Sequence, residues 1–162
     1  MGSVLLALIL GVPFGAWLRT LKPRVERIIS VVVLVPFVLP PLIVGMAFAN
    51  LGVVNEVNSK TGILIILVAH TFTNFGFIAR SVANSPITNE QIESARLEGA
   101  SDLKIRYWVE LPQLRPQLAA ASLLVALYSA TSFGLIRVLG NGFVETLETE
   151  IAEAALVRLD LD

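Results

Sequence analysis

The sequence predicts an all-α fold, a polytopic integral membrane bundle of about four transmembrane helices with a two-helix loop on the cytoplasmic side. Of the 162 residues, 55% are hydrophobic and only 15% are charged, whereas soluble domains usually carry about 25% charge. The mean hydropathy is +0.76. Long uncharged stretches alternate with short connecting segments, and the basic residues are concentrated in two of these segments. Together these observations indicate that lipid surrounds most of the chain.

Four apolar stretches are the candidate spans, because about 20 apolar residues cross the ~30 Å hydrocarbon core as a helix. They cover residues 3–18, 28–51, 62–79 and 117–136. The first is short for a full span, and the second is long enough to tilt. Pro116 fits the first turn of the fourth stretch. Helices are expected because backbone polar groups in lipid must be satisfied within the segment.

Three prolines interrupt the second stretch, at Pro36, Pro40 and Pro41. Each removes an intrahelical hydrogen bond and crowds the preceding turn, so a kink is expected. Such a kink either shapes a pathway or serves packing against a neighbouring helix.

The distribution of basic residues predicts the orientation. Nine of the twelve lysines and arginines follow the first or third stretch: Arg19, Lys22, Arg24, Arg27, Arg80, Arg96, Lys104, Arg106 and Arg115. By the positive-inside rule these two segments face the cytoplasm. The tail then lies outside, and its acidic residues are either a solvated helix or a contact for a binding protein: Glu145, Glu148, Glu150 and Glu153.

Composition excludes several functions. There is no cysteine and one histidine, which argues against a metal centre, and no cofactor is expected. The net charge of −1 offers no basic field for nucleic acid. None of Lys22, Lys60 and Lys104 follows the glycine-rich pattern of a phosphate-binding loop. The chain is therefore not expected to hydrolyse ATP.

The segment 84–116 contains the sequence signals that begin and end two short helices. Thr88 and Gln91 fit a capping box at the start of the first helix. Gly99 ends that helix, because a left-handed position costs glycine nothing. A second helix follows Ser101, and it is expected to end by Leu111 because the residue before a proline is disfavoured in the α region. Its apolar residues are Leu103, Tyr107 and Trp108.

The spacing within this segment resembles a known loop. Residues 93–99 read Glu-Ser-Ala-Arg-Leu-Glu-Gly, and ten residues after Gly99 comes Val-Glu-Leu-Pro at residues 109–112. This is similar to the EAA loop of binding-protein-dependent ABC importer permeases. The family pattern is Glu-Ala-Ala, three residues, Gly, nine residues, Ile or Val, any residue, Leu-Pro. Ser94 is the one departure.

Further motifs resemble one branch of this family. Residues 35–40, 69–74, 131–134 and 146–151 are similar to the iron(III) and thiamine permeases. In that branch one chain often carries two fused permease halves, and this sequence is most similar to the first half. Sulfate, molybdate and polyamine permeases share the same loop, so these substrates remain alternatives.

The resemblance implies a function and its partners. The chain would be a single, partial transmembrane domain (residues 1–162) of an importer in the bacterial plasma membrane. An ABC ATPase subunit would dock at the loop 84–116, an extracytoplasmic solute-binding protein would deliver the solute, and a second permease half would complete the pathway. The docking residues carried over are Glu93, Ser94, Ala95, Gly99, Val109, Leu111 and Pro112. Two alternatives are a non-transporting scaffold that keeps only the docking loop and a small ion channel.

His70 and Asn74 are the polar candidates within a span. They lie four residues apart and therefore share one face of the third helix. Polar side chains within a membrane are often functional, so the pair is predicted to line the substrate path. The alternative is a hydrogen bond to a neighbouring helix.

Overall fold

A computed structural model describes residues 2–53, 59–140, 144 and 146–155. Every element in this part of the chain is helical, which confirms the predicted all-α class. A π turn, Ala49–Val53, follows one α-helix, and a second π turn, Arg106–Glu110, joins two others. The α-helices are α1 (Gly2–Leu18), α2 (Pro23–Val38), α3 (Pro41–Phe48), α4 (Ser59–Ala83), α5 (Asn89–Leu97), α6 (Asp102–Ile105), α7 (Leu111–Ala130), α8 (Phe133–Gly140) and α9 (Leu147–Glu153).

The third predicted span is the straight one. Among the described residues, Lys60–Ala83 within α4 is long and apolar enough to cross a membrane by itself. Two bent helix pairs raise the number of possible spans to three. The first predicted span corresponds to α1, an apolar helix of 17 residues.

The second predicted span, 28–51, is broken rather than continuous. Helices α2 and α3 meet at an angle of 92°. Leu39 and Pro40 at the break are extended, with ψ of 138° and 133°. Each of them precedes a proline, which disfavours the α region and favours this conformation. Pro36 stays inside α2, so Pro40 and Pro41 cause the break.

The fourth predicted span, 117–136, differs at both ends. Helix α7 begins at Leu111, which places Pro116 inside the helix rather than in its first turn. At the other end the helix stops at Ala130, and α8 continues after a bend of 55°. The break lies at Thr131, whose side chain and backbone both bond to the carbonyl of Leu127.

The prediction that the second short helix ends by Leu111 is wrong. Leu111 is α-helical, with φ −60° and ψ −42°, and its N–H donates to the carbonyl of Arg106 five residues earlier. A π turn is wider than an α turn, so it leaves room for the ring of Pro112 against the carbonyl four residues before it. The helical path therefore continues from α6 through the π turn into α7.

Small residues allow α1 and α4 to pack closely. Ala7, Gly11 and Gly15 are buried at four-residue intervals, the spacing that brings membrane helices together. A Cβ on Gly15 would collide with the carbonyl oxygen of Ala79 and lie 2.6 Å from the Cβ of Val82. No side chain larger than hydrogen fits there.

The helices run so that both basic segments lie at one end. Gly2 approaches Leu67 while Gly15 approaches Val82, hence α1 and α4 are parallel. Their carboxyl ends are neighbours, in agreement with the predicted shared side of the two basic segments. At the opposite end α3 and α8 pack on α4 through a core of Val44, Ile66, Ala69, Leu135, Ile136 and Leu139.

The acidic tail is described in part. Helix α9 begins with a capping box formed by Thr146 and Thr149, and it includes Glu150 and Glu153. Glu145 and the side chain of Glu148 lie outside the described residues.

Candidate functional site

The hairpin at the basic end, residues 88–110, is the candidate site. Its first arm, α5, starts with the predicted capping box, which is confirmed. The Thr88 hydroxyl accepts a hydrogen bond from the Gln91 N–H, and the Gln91 side-chain oxygen accepts one from the Thr88 N–H, both at 3.3 Å. Two amides that the helix leaves free are thus satisfied, which fixes where the arm begins.

The predicted turn at Gly99 is also confirmed. Gly99 has φ +83°, a left-handed conformation. Its N–H donates to the carbonyl of Arg96 at 2.9 Å, and the next N–H, of Ala100, donates to Ala95 at 3.0 Å. This pair of bonds is a Schellman motif, which closes the last turn of α5. An exposed ion pair between Arg96 and Asp102, 3.1 Å apart, spans the turn.

The second arm consists of α6 and the π turn Arg106–Glu110. Ser101 occupies the N-cap position of α6, but its hydroxyl makes no capping bond. Because the π turn continues into α7, the second arm extends the fourth span without a flexible joint. The second arm and α7 thus form one continuous helical path.

Four large apolar side chains on the hairpin are exposed, and we call them the apolar set: Leu97, Leu103, Tyr107 and Trp108. Leu97 is 90% exposed and Trp108 is 80% exposed. Exposed apolar side chains on α1 or α2 can face lipid, whereas the hairpin lies beyond the carboxyl end of α4 and the amino end of α7. Apolar patches of this kind mark protein interaction sites, and tryptophan is enriched where binding energy concentrates.

The docking residues predicted from the resemblance separate into different surroundings. Ser94 and Ala95 of the first arm line a groove together with Val109 of the second arm. Glu93 and Gly99 are exposed outside this groove. The structure thus brings together the small residues of the motif and its valine.

The last two residues of the motif lie elsewhere. Leu111 is half-buried and lines a cleft against α1, together with Arg19 and Glu110. Pro112 is exposed and lines a surface depression beside Tyr107 and Trp108. The apolar set was not among the predicted docking residues, although three large apolar residues within a charged segment were a signal available in the sequence.

His70 and Asn74 are buried between helices, 4% and 0% exposed. The Asn74 amide donates to the Ser129 hydroxyl at 3.2 Å, and His70 Nε2 lies 3.1 Å from the Ser132 hydroxyl. Because the Ser132 hydroxyl already donates to the carbonyl of Ser129 at 2.7 Å, His70 Nε2 is the donor in this pair. Both contacts adjoin the break at Thr131, so the pair holds α4 to the bend between α7 and α8.

Each of the two side chains keeps one atom without a partner in the part of the chain that the structure describes, His70 Nδ1 and Asn74 Oδ1. With Nε2 protonated, Nδ1 is an acceptor, as is the amide oxygen. These atoms can accept hydrogen bonds from water or from a solute that carries donors. Across the described residues, no group of three acidic, histidine or cysteine side chains could hold a metal ion.

Comparison with known proteins agrees with the loop resemblance. The family described as "Binding-protein-dependent transport system inner membrane component" matches residues 7–154. The "Molybdenum transport system permease protein ModB" of Azotobacter vinelandii is 29% identical over 161 residues, which cover 91% of this chain and 71% of that protein. The protein of the same name from Mycobacterium tuberculosis is 28% identical over 165 residues, covering 92% of this chain and 62% of that protein.

A third relative has a different name. The "Osmoprotective compounds uptake permease protein GgtC" of Synechocystis is 25% identical over 117 residues, 72% of this chain and 41% of that protein. The chain spans less than two thirds of the length of the mycobacterial and cyanobacterial relatives. The names mention molybdenum and osmoprotective compounds, so the predicted likeness to the iron(III) and thiamine branch is not confirmed.

Proposed function

Because the chain belongs to the family of binding-protein-dependent transport system inner membrane components, we propose that it is the membrane-spanning permease subunit of an ATP-driven importer. The observation that carries the proposal is the exposed apolar set on the hairpin at the basic end. Such a rigid, partly apolar element suits the docking of a separate ATPase subunit. This family is found in the bacterial inner membrane.

The ATPase has to be a partner. No lysine of the sequence follows a glycine-rich phosphate-binding pattern, so the energy of ATP would enter through the hairpin. The apolar set would contact the ATPase. Glu93 would add a charged contact at the edge, and Ser94 and Ala95 would let the two arms approach each other.

Molybdate is the first substrate to test. The support is the names of two relatives that align with more than nine tenths of this chain. Iron(III), thiamine, sulfate and polyamines remain candidates, and the osmoprotectant permease adds a further class. A binding protein would deliver the solute to the outer face, where α3 and α8 pack together.

A second permease half is part of the proposal. Helices α1 and α4 leave an open apolar groove of about 550 Å³ between them, which includes Leu10, Phe14 and Phe75. Such a face needs lipid or another helix against it. With at most three possible spans, the described helices alone would not enclose a pathway across the bilayer.

The test is reconstitution. The chain is purified with its cognate ATPase and second permease half, placed in liposomes, and supplied with binding protein and radiolabelled molybdate, iron(III) or thiamine in parallel. ATP-dependent uptake of one solute supports the proposal. If the ATPase never co-purifies, the scaffold hypothesis and the permease hypothesis both fail, because both require the docking site. Co-purification without uptake of any solute favours the non-transporting scaffold, and ATP-independent conductance favours a channel.

A further inference from the structure

We infer that Arg19 is a positioning residue. Its side chain links both ends of the hairpin to α1, and through this link a movement of the hairpin reaches the helix bundle. The inference rests on the proposed function, since it presumes that an ATPase moves the hairpin. Arg19 directly follows the last residue of α1. The resemblance assigns nothing to Arg19, and its pattern leaves the position of Glu110 open to any residue.

The guanidinium group of Arg19 reaches two distant parts of the chain. Its Nη1 atom lies 3.4 Å from the Glu110 carboxylate, and its Nη2 atom donates to the carbonyl of Ile87 at 3.0 Å. Ile87 directly precedes the cap of the first arm, and Glu110 is the last residue of the second arm. A single side chain therefore contacts the hairpin at the two points where it joins the membrane helices.

These contacts are partly shielded from water. The side chains of Arg19 and Glu110 are 16% and 22% exposed, whereas those of Arg96 and Asp102 in the turn are 60% and 79% exposed. Exposed ion pairs contribute little, while a shielded pair is screened less and is costly to break. The ion pair of Arg19 with Glu110 is therefore better suited than that of Arg96 with Asp102 to transmit a movement of the hairpin.

The contacts of Arg19 adjoin a cluster of buried apolar side chains. The Ile87 side chain is buried with Val82 of α4 and Leu114 of α7, and Val12 of α1 packs against the same cluster. Arg19 bonds to the backbone of that same isoleucine. Since α1 is packed on α4 through glycines, α1 has little freedom to shift alone. Movement of the hairpin would therefore displace α1 and α4 together.

The plain alternative is that Arg19 merely helps to orient α1 through the positive-inside rule. Arg24 offers the matched control, because it lies in the same basic segment, is exposed, and makes no hydrogen bond or ion pair among the described residues. Orientation depends on the number of basic residues. Arg19→Met and Arg24→Met each remove one, so the alternative predicts equal effects.

The experiment uses the reconstituted complex with its ATPase, second permease half and binding protein, with molybdate, iron(III) and thiamine as probes. For the probe that the wild type transports, or for a solute found later, the measured quantity is solute transported per ATP hydrolysed. We expect Arg19→Met to keep the ATPase bound and hydrolysing while this ratio falls about fivefold or more, the lower bound usual for coupling between sites. Arg24→Met should match the wild type.

A double-mutant cycle adds a second readout. If Arg19 acts through Glu110, Arg19→Met with Glu110→Gln should be no worse than Arg19→Met alone. Arg19→Lys keeps the charge but lacks the planar fork, and should give an intermediate ratio. Should Arg19→Met fail to fold, Arg19→Lys and Glu110→Gln carry the same test.

Equal ratios for the Arg19 and Arg24 variants, or additive losses in the cycle, overturn the inference while the proposed function stands. Failure of the wild-type complex to bind an ATPase overturns both.

Discussion

The backbone N–H of Ala100 donates to the carbonyl of Ala95 at 3.0 Å, across the left-handed Gly99 that lies between them in the chain. This bond completes the end of α5 and sets the angle between the two arms. The direction of the hairpin therefore depends on one backbone conformation.

Replacing Gly99 by valine should disrupt the hairpin. Apart from the chain neighbours of Gly99, no described residue places an atom within 4 Å of the position where a Cβ would stand, so the effect is conformational rather than steric crowding. A left-handed conformation costs a non-glycine residue about 1–2 kcal/mol, and more for a β-branched one. We expect ATPase co-purification and transport to be lost, with Gly99→Asn largely retaining both because asparagine tolerates this conformation. Full activity of the valine variant would remove the docking proposal.

Truncating Trp108 should weaken ATPase binding. Its indole is 80% exposed and lies beside Leu103 and Tyr107. A central tryptophan typically costs more than ~1.4 kcal/mol on truncation, so Trp108→Ala should raise the Kd for the ATPase about tenfold or more. Trp17→Ala is the matched control, because Trp17 is 46% exposed on α1, away from the hairpin, and its ring lies 5.2 Å from that of Phe14. An unchanged Kd for Trp108→Ala would indicate that the ATPase binds instead at the groove lined by Ser94 and Ala95.

Enlarging Gly15 should destabilise the bundle. The added carbons of Gly15→Val would press on the backbone of Ala79, which cannot move aside as a side chain can. Overpacking costs ~1–3 kcal/mol, and the rigid neighbour favours the upper end. The melting temperature in detergent should fall clearly, while Ala119→Val on an exposed face of α7 should leave it nearly unchanged. Equal melting temperatures would contradict the parallel contact of α1 and α4.

Removing the His70 imidazole should loosen the bend after α7. Membrane hydrogen bonds average ~0.6 kcal/mol with a maximum near 1.7, and the cavity left by the buried imidazole adds to this, so the loss of stability for His70→Ala should exceed that of the hydrogen bond alone. Because the bond joins His70 to Ser132, the losses of stability caused by His70→Ala and by Ser132→Ala should be less than additive in the double variant.

The substrate-path proposal for His70 and Asn74 predicts something further. In the His70→Ala and Asn74→Leu variants, solute uptake should fall and solute affinity should change. Both changes should be larger than the loss of stability explains. Thr73→Val is a suitable comparison, since Thr73 is buried on the same helix and, among the described residues, its hydroxyl bonds only to carbonyls of that helix. If the histidine and threonine variants transport equally, the packing role alone remains.

Local features were predictable because they depend on residues close in sequence. The capping box at Thr88 needs only Gln91 three positions later, and the turn at Gly99 needs only a residue that tolerates positive φ. Composition likewise sufficed for the membrane environment. The continuation of the helix through Leu111 was missed because the rule for residues before proline assumes an α turn, and the chain forms a π turn there.

What the sequence by itself determined is therefore the helical membrane fold, the shared side of the basic segments and the local form of the hairpin. Tertiary structure alone decided the ion pair of Arg19 with Glu110, 91 residues apart, and the exposure of Trp108 next to the half-buried Val109. It also decided that His70 and Asn74 adjoin the bend at Thr131. These relationships depend on which helix packs against which, and hydropathy and spacing along one chain do not encode that choice.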